Sequence, residues 1–371
     1  MNNKKLILAT PLYPPRIGGP ATYTVMLEKN LPAYGIDVTV VPFTPYSQFP
    51  LFVRHILYAI ALLSRAWRGH SIMALDAVSV GLPAMLVARL LRKRFILKVV
   101  GDHAWEQGVQ RGSVTVPLDT YLTQPFSYGW FVSLLARIER VTARSAHTLI
   151  VPSEYLRGLV LSWDVPEHRI VVIPNVANVN PLTENREILR RSLNIGQHTI
   201  LTAGRLVLWK KIDVIVSALS ELKKTIPDLT LLIAGEGPDR PRLQDLVREF
   251  ALGSQVRFLG SLHTENLHQY MCASDAFVLV STYEGLSHVL IEALALGVPI
   301  IASDAGGNRE ALADGSCGYL IAPEDSQALV GALTTLFSDQ KKTALYVARG
   351  LEHAKRYTAH AHLQALCAYL L

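Results

Sequence analysis

Cysteine is scarce in this sequence, and its spacing argues against two kinds of structural site. Cys272, Cys317 and Cys367 are the only cysteines in 371 residues, and they lie far apart. Disulfide frameworks usually have an even set of cysteines, and zinc sites have them in close pairs. A P-loop, a GxGxxG fingerprint and an Asp-x-Asp pair are also absent from the sequence. We therefore expect a cytoplasmic protein that uses no metal and no bound cofactor.

Long hydrophobic runs are absent as well. The apolar stretch 72–91 is interrupted by Asp76, Pro83 and Arg89, which a membrane-spanning helix would not tolerate. The apolar run at 6–9 is too short for a signal peptide. We expect no transmembrane helix.

Charged residues make up 18% of the chain, whereas hydrophobic residues make up 50%, which is enough for the cores of two domains. The 36 Lys and Arg exceed the 30 Asp and Glu, which gives a formal charge of +6. This sign suits an anionic substrate, an anionic membrane or nucleic acid, and charge alone does not choose among them.

Short β-rich runs alternate with helical patterns along the whole chain, and this order predicts an α/β fold. In the first half the runs lie at 6–9, 38–41, 72–75, 95–100 and 148–151. After 170–173 the pattern restarts, with runs at 199–203, 229–234, 256–259, 276–280, 300–302 and 319–321. Strands separated by helices form parallel sheets through crossover connections. Two doubly wound domains are the simplest account.

The predicted domains are an N-terminal domain at 1–176 and a C-terminal domain at 192–355. The polar segment 177–191 is the predicted linker, and 356–371 is a C-terminal helix expected to pack back towards the N-terminal domain. Open α/β sheets bind ligands at the carboxyl ends of their strands. We therefore expect the two domains to face each other across a cleft lined by those loops.

Two carboxylates, Glu284 and Glu292, flank the predicted start of a helix. Glu284 lies on the loop after a predicted strand, and Glu292 lies in the second turn of a helix that Ser287 can cap. The first amides of that helix, those of Leu286, Ser287 and His288, lack intrahelical partners and form a good site for phosphate. A ligand with both hydroxyls and phosphates, such as a nucleotide sugar, suits this arrangement.

Glycine and basic residues follow the first two strands of the second half. Gly204, Arg205 and Lys210 come after the run 199–203, and a guanidinium fork with an ammonium group suits a diphosphate. A solvated basic turn is the alternative. Gly235 opens the turn after the next strand, where it either shapes a base pocket or only reverses the chain.

In the first half, Gly18 and Gly19 open a helix after the first strand, where glycine lets a ligand approach the backbone. A tight turn without a ligand is the alternative.

A cluster of polar and aromatic residues follows the predicted strand 95–100. Asp102, His103, Trp105 and Glu106 have the groups to bind a sugar or to shuttle a proton at the edge of a cleft. A structural histidine is the alternative for His103.

The segment 52–68 has a helical pattern with a wide apolar face, arginines, a tyrosine and a tryptophan. Such a helix can lie on an anionic membrane surface. Packing on the sheet is the alternative.

These motifs resemble those of the family-4 retaining glycosyltransferases, also called glycosyltransferase group 1, which have the GT-B fold of two Rossmann-like domains. The motifs occur in the order and spacing of that family: Gly204-Arg205-Leu206 with Lys210, Gly235-Glu236-Gly237-Pro238, Val256-Arg257-Phe258-Leu259-Gly260, the Glu284/Glu292 pair, Gly297-Val298-Pro299 and Gly318-Tyr319-Leu320. The first half matches more loosely. Lys211 departs from the glycine that is usual in the family at that position.

The resemblance implies a metal-independent hexosyltransferase that retains the configuration of the sugar. Glu284 would then face the donor sugar, and Glu292 would hold the ribose hydroxyls. Arg205 and Lys210 would hold the diphosphate and stabilise the leaving group. The implied site has His103 as a further catalytic residue, Gly18, Gly19, Gly204, Gly235, Leu286, Ser287 and His288 at the donor, and Asp102, Trp105 and Glu106 on the acceptor side.

The expected partners are a nucleoside diphosphate sugar and a saccharide or lipid-linked acceptor in polysaccharide or glycan biosynthesis, reached at the inner face of the membrane. Nucleic acid is not among them. A nucleotide-sugar epimerase of GT-B architecture and a non-catalytic sugar-nucleotide-binding protein are the alternatives. No residue chooses between UDP and GDP as the carrier.

Overall fold

The structure is a computed structural model that describes residues 4–16, 18–179 and 184–370. It forms two compact units, one of Met1–Pro174 with His360–Leu371 and the other of Asn175–Ala359. Three predicted features lie partly outside the described residues: the extreme ends of the chain, the glycine loop at Ile17 and the linker at 180–183.

The first unit is built on a six-stranded parallel sheet with the order β2-β1-β3-β4-β5-β6. Its strands are β1 Lys4–Thr10, β2 Ile36–Pro42, β3 Ser71–Ala74, β4 Arg94–Lys98, β5 Thr148–Val151 and β6 Ile170–Val172. The helices between them are α1 Gly19–Asn30, α2 Leu51–Ala66, α3 Gly81–Leu90, α4 His103–Gln110, α5 Leu118–Thr123, α6 Trp130–Arg144 and α7 Glu154–Leu161. Residues 6–10 of β1 are all buried, as expected for a parallel strand covered on both faces, whereas Lys4 and Lys5 at its start are exposed.

The second unit has another six-stranded parallel sheet, in the order β12-β11-β10-β7-β8-β9. Its strands are β7 Thr199–Ala203, β8 Thr230–Ala234, β9 Val256–Gly260, β10 Ala276–Leu279, β11 Ile300–Ser303 and β12 Tyr319–Ile321. Its helices are α8 Arg186–Ser192, α9 Ile212–Leu222, α10 Arg240–Glu249, α11 Thr264–Ala273, α12 His288–Ala295, α13 Asn308–Ala311, α14 Ser326–Ser338 and α15 Gln340–Ala354. Ile200 and Leu201 on β7 enter separate apolar clusters, so this sheet also has a core on each face.

These two sheets confirm the predicted α/β fold. Every β-rich run expected from the sequence is a strand, and the bounds differ by at most two residues. The prediction works because strands buried on both faces are continuous apolar runs, which few other elements of this length show.

Part of the predicted linker is helical. Asn185 caps α8 by accepting a hydrogen bond from the amide of Glu187 (3.0 Å). Arg190 then joins the helix to the second unit through Asp275, with 3.1 Å between Nη1 and Oδ1. The polar composition of this segment therefore reflects capping and ion pairing as well as irregular chain.

The C-terminal helix, α16 Ala359–Cys367, belongs to the first unit. His362 Nδ1 lies 2.6 Å from the carbonyl oxygen of Pro174, which can only accept, so Nδ1 carries the hydrogen. In the neutral ring Nε2 then accepts from the Tyr23 hydroxyl, 2.9 Å away. The Ser71 hydroxyl donates to the carbonyl of Leu370 (2.7 Å). Side chains of α1 and β3 thus bind the C-terminal segment through hydrogen bonds.

Lys98 lies at the end of β4 in an apolar part of this unit. Its ammonium nitrogen is 4.3 Å from the centre of the Tyr23 ring, and within the described residues it has no hydrogen-bond partner. Burial penalises the charged form and lowers the pKa of Lys98 from 10.5 to about 7. The side chain costs folding free energy whenever it is charged in the folded state.

Replacement of Lys98 by methionine should therefore stabilise the protein in a pH-dependent way. Because the pKa is lower in the folded than in the unfolded state, the wild type gains stability as pH rises from about 7 towards 10.5. The variant lacks this pH-dependent contribution, so its advantage in unfolding free energy should be roughly 5 kcal/mol near pH 6 and should shrink as pH rises. Urea unfolding of both proteins across that range measures the difference. A difference that does not change with pH would contradict a buried, titrating Lys98.

Candidate active site

Lys210 and Glu284 form the centre of the candidate site in the second unit. Lys210 ends the short 3₁₀ turn Leu208–Lys210 after β7, and Glu284 lies on the loop after β10, the neighbour of β7 in the sheet. The carboxyl ends of neighbouring parallel strands lie at the same edge, which brings the two side chains together. Lys210 Nζ is 2.5 Å from Glu284 Oε1. The lysine side chain is 17% exposed and the glutamate 10%, so the pair is largely shielded from water.

Ser281 completes this pair and was not singled out from the sequence. Its hydroxyl donates to the same Glu284 oxygen at 2.6 Å. Ser281 lies two residues after the last residue of β10. Because side chains at strand ends face a ligand in this fold class, that position in the sequence could have indicated Ser281 as a site residue. With two donors on Oε1, the glutamate is fixed in one orientation.

Gly204 and Gly235 place the loops after β7 and β8 in direct backbone contact. Both have positive φ, 147° and 140°, which L side chains rarely adopt. A Cβ atom on Gly235 would lie 1.9 Å from the carbonyl oxygen of Gly204, and one on Gly204 would lie 3.7 Å from Lys210 Cε. These glycines therefore set the shape of the loop that carries Lys210. Arg205 follows Gly204 and is exposed.

Glu292 lies in the second turn of α12, as the sequence predicts, and has a buried neighbour on α11. His268 Nε2 is 3.4 Å from Glu292 Oε2, and both residues are buried. His268 was not expected as a site residue, because nothing local in its sequence connects it to the residues of α12. It limits the positions that the Glu292 carboxylate can take.

The loop before α12 contains the predicted phosphate-binding amides. Leu286 and Ser287 are buried, and His288, the first residue of α12, is partly exposed. Within the described residues, the Ser287 side chain makes no capping hydrogen bond to the helix, although the residue is in the N-cap position. Asn175 donates from Nδ2 to the carbonyl of Leu286 at 2.9 Å and so fixes the loop from a distant part of the chain.

Gly306 and Gly307 lie against this same loop. The amide of Gly307 donates to the carbonyl of Glu284 (2.9 Å). A Cβ atom on Gly307 would lie 2.1 Å from the carbonyl oxygen of Gly285. The glycine pair therefore supports the backbone on which Glu284 stands.

In the first unit, His103 begins α4 and is partly exposed. The pKa of Asp76, on the loop after the adjacent β3, is raised by burial, and the positive charge of His103 opposes this shift. Asp76 Oδ1 accepts hydrogen bonds from the amides of Val78 (2.8 Å) and Ser79 (2.6 Å). Asp76 is thus a fixed acidic neighbour of His103, and its place after a strand end could have indicated it.

Asp102 and Trp105, expected on the acceptor side, have structural contacts. Asp102 is 0% exposed and caps α4 by accepting from the amide of Trp105 (2.8 Å). Trp105 is 3% exposed, and its indole nitrogen donates to the carbonyl of Val116 (3.1 Å). Neither side chain presents appreciable surface to an acceptor. Glu106, in the first turn of α4, is partly exposed.

Glu139, on α6, binds backbone amides at the start of α4. Its two oxygens accept from the amides of His103 (2.7 Å) and Ala104 (3.1 Å). Burial raises the pKa of Glu139, and the neighbouring Asp102 raises it further. Burial likewise raises the pKa of Asp102, to about 6. Two buried acidic side chains thus fix the helix that carries His103.

Gly18 precedes α1, and its carbonyl accepts from the amides of Ala21 (3.0 Å) and Thr22 (3.1 Å). Its φ of 156° favours glycine, and a Cβ atom there would lie 3.1 Å from Leu12 Cδ1. Gly19 is the first residue of the helix. Among the described residues, no helix is both long and apolar enough to span a membrane, and no group of three side chains is placed to hold a metal ion.

Two family models match this chain. Residues 185–353 match the model described as glycosyl transferases group 1, and residues 20–176 match the glycosyl transferase 4-like domain. The two models together cover most of the chain. The chain belongs to the group 1 glycosyltransferases.

The group 1 glycosyltransferase has similar relatives among curated proteins and solved structures. The GDP-mannose-dependent alpha-(1-6)-phosphatidylinositol monomannoside mannosyltransferase of Mycolicibacterium smegmatis is 27% identical over 234 residues, which are 60% of this chain and 61% of that protein. Other curated relatives are matched over about half of their length.

Two solved structures have the same fold over nearly the whole chain. Anabaena HepE in complex with UDP-glucose has a TM-score of 0.79 at 19% identity and 99% coverage of each chain. The sucrose-phosphate synthase of Thermosynechococcus elongatus has a TM-score of 0.81 at 21% identity and 98% coverage of each chain. These likenesses confirm the predicted GT-B fold.

Proposed function

We propose that this group 1 glycosyltransferase moves a hexose from a nucleoside diphosphate sugar to an acceptor hydroxyl, with retention at the anomeric carbon. The observation that carries the proposal is the shielded Lys210–Glu284 pair, next to the Gly204–Arg205 loop and the start of α12. Two comparisons support the donor class: HepE was solved with UDP-glucose, and the Mycolicibacterium relative is named for its GDP-mannose dependence.

In the proposed donor site, the cations and the carboxylates contact different parts of the donor. Lys210 and Arg205 contact the diphosphate, while Glu284 orients the donor sugar. Glu292 accepts hydrogen bonds from the ribose hydroxyls, with His268 limiting its position. Leu286, Ser287 and His288 offer backbone amides at the positive end of α12.

The proposed mechanism depends on stabilising the leaving group. As the bond between the anomeric carbon and the phosphate oxygen breaks, negative charge grows on the β-phosphate, where fixed cations stabilise it. The acceptor oxygen bonds to the anomeric carbon on the same face, and a β-phosphate oxygen takes the acceptor proton. The products are the glycosylated acceptor and a nucleoside diphosphate. No carboxylate acts as the nucleophile in this scheme, and His103 is the further catalytic residue that we propose in the first unit.

We propose further that Lys210 and Arg205 supply the positive charge that a metal ion supplies in other transferases. Both residues follow the strand β7, and Lys210 is held in place by Glu284. Turnover should therefore stay within about twofold when EDTA is added. Loss of turnover with EDTA and its return with a divalent cation would contradict this.

We propose that the acceptor is a lipid-linked saccharide met at an anionic membrane surface, on the inner face of the membrane. Phe52, Ile56 and Ile60 form an exposed apolar stripe on α2, and the chain carries a net charge of +6. The phosphatidylinositol-based name of the Mycolicibacterium relative is in line with such an acceptor.

The test of glycosyl transfer is an assay for free nucleoside diphosphate. The purified chain is incubated with UDP and GDP sugars, with and without a lipid-linked saccharide. Diphosphate release that depends on the acceptor, together with a glycosylated product of retained configuration, is the expected result. Epimerisation of the donor without acceptor, or binding without turnover, would contradict the proposal and favour one of the two alternatives.

A further inference from the structure

A cavity of 790 Å³ opens in the first unit, at the amino ends of β4 and β5. This is the edge of the sheet opposite to the one that carries His103. The cavity is lined by four cationic side chains, Arg89, Arg92, Lys93 and Arg94, together with Ser145 and His147. Among the described residues that line it, there is no aspartate or glutamate. Its volume is in the range of small-molecule sites.

Arg94 donates from Nη2 to the Thr148 hydroxyl at 3.1 Å and so differs from the other three cations of this cavity. Within residues 4–16, 18–179 and 184–370, no ion pair engages Arg89, Arg92 or Lys93. The C-terminal end of α3 carries only about half a negative charge, which does not account for Arg89, Arg92 and Lys93 together. Clustered like charges repel each other, and a bound anion would relieve that repulsion.

His147 adds a neutral donor to the same cavity. Its Nδ1 is 3.1 Å from the backbone nitrogen of Phe95, whose N–H donates to it. In the neutral ring the hydrogen is therefore on Nε2, which leaves that nitrogen as a donor. Arginine forks, an ammonium group and an imidazole N–H together recognise phosphate oxygens.

The helix α3, which contributes Arg89 to the cavity, also exposes apolar side chains. On α3, Arg89 lies four residues after the cavity-lining Met85 and three after Leu86, so it lies between the cavity and the exposed stripe of the helix. That stripe consists of Leu86, 52% exposed, and Leu90, 69% exposed. A free phosphate ion gains nothing from such a stripe, whereas the acyl chains of a lipid do.

The neighbouring helix α2 also exposes apolar side chains. In the sheet order β2-β1-β3-β4, the crossovers through α2 and α3 run in the same direction, so both helices lie on the same face of the sheet. On α2, Phe52 is 80% exposed, Ile56 60% and Ile60 57%. An exposed apolar stripe beside a cationic cavity matches the interface of an anionic bilayer, where phosphate lies just outside the acyl layer.

We propose that this cavity holds the phosphate group of an anionic phospholipid, with Leu86 and Leu90 against its acyl chains. The inference rests on the membrane contact given under the proposed function and does not depend on glycosyl transfer. It adds a defined headgroup site to a surface that would otherwise attract lipid through net charge alone.

The experiment is flotation of the full chain with phosphatidylcholine vesicles that contain phosphatidylglycerol. The cavity variant carries Arg89→Gln and Lys93→Gln. The control variant carries Lys341→Gln and Arg349→Gln, which remove the same charge from α15 of the second unit. Each basic residue near an anionic surface adds about 1 kcal/mol, so the cavity variant should bind about 30-fold more weakly. The control should change less than about twofold, because it keeps all four cations of the cavity.

The outcomes separate the two proposals. Failure of the wild type to float at low salt would overturn membrane contact and the headgroup site together. Equal vesicle binding by wild type and cavity variant, or equal losses in cavity and control variants, would overturn the headgroup site alone. Titration with glycerol 3-phosphate in the absence of vesicles tests whether the phosphate comes from a soluble molecule instead. If the wild type binds glycerol 3-phosphate tightly but does not bind vesicles, and the cavity variant loses that tight binding, the proposed phospholipid is overturned. Matching circular dichroism and melting curves establish that both variants fold.

Discussion

Replacement of Lys210 by alanine is expected to lower the turnover number about 10²-fold or more, while the chain keeps its fold. Lys210 lies 2.5 Å from Glu284 in a site largely shielded from water. There its ammonium group would meet charge that grows on the leaving diphosphate as the sugar bond breaks. Because this interaction strengthens as the transition state forms, kcat should fall more than the KM for the donor rises. Steady-state kinetics with varied donor measure both parameters.

Lys211 provides the matched control for this prediction. It carries the same charge one residue away, but its side chain pairs with Glu324 and its backbone takes the left-handed conformation (φ 49°) that precedes α9. Lys211→Ala should therefore leave turnover within about twofold of wild type. Lys210→Arg, which keeps the charge, should recover part of the lost activity. Near-normal turnover of Lys210→Ala, or equal losses at 210 and 211, would contradict the proposed role.

The stability of the Lys210 variant needs a separate measurement. Removing one partner of a buried ion pair costs about 3–5 kcal/mol, and the partial exposure of this pair lowers that figure. Glu284 keeps the Ser281 hydroxyl as a donor. The double variant Lys210→Met with Glu284→Gln has no unpaired charge, so it should melt closer to wild type than Lys210→Ala. It should remain as inactive, which separates loss of folding from loss of chemistry.

The sequence predicts the framework of the site because that framework follows from local pattern. Buried parallel strands are apolar runs, and site residues in α/β folds follow the ends of such strands. Glu284 and Lys210 could therefore be placed on their loops without a structure. Their pairing depends on the order of the strands in the sheet, with β10 beside β7, which alternation alone does not determine.

The supporting contacts of the site are long-range and escape sequence patterns. Asn175 reaches the carbonyl of Leu286 from a segment 111 residues away. His268 meets Glu292 only because α11 packs against α12. A contact of this kind depends on how two helices lie against each other, and neither helix encodes it alone.

Local capping rules explain the different position of Asp102. The sequence suggests an acidic residue at a cleft edge, whereas the structure uses it as the N-cap of α4. Aspartate is among the preferred residues at that position, because its oxygen satisfies a free amide of the first turn. The residue three positions later supplies that amide, and it is Trp105. Helix-start chemistry therefore accounts for part of a cluster whose composition indicates a binding site.

Replacement of Gly307 by alanine should disturb the candidate site through the backbone alone. The φ of Gly307 is −71°, which alanine adopts without strain, so only the added methyl group matters. That carbon would lie 2.1 Å from the carbonyl oxygen of Gly285 and 3.1 Å from Leu286 Cα. The loops must therefore separate, which weakens the 2.9 Å hydrogen bond from Gly307 to Glu284. We expect a loss of about 3 kcal/mol in unfolding free energy.

The same movement displaces Glu284 from Lys210, so the affinity for a nucleoside diphosphate should also fall, by about tenfold. Urea unfolding and titration with UDP and GDP measure the two effects. Gly331→Ala is the control: Gly331 lies in α14 with no atom within 4 Å of an added Cβ. Since alanine favours a helix over glycine by about 1 kcal/mol, this variant should be slightly more stable and should bind normally. If Gly307→Ala behaves like Gly331→Ala, the close contact between the two loops does not hold Glu284 in place.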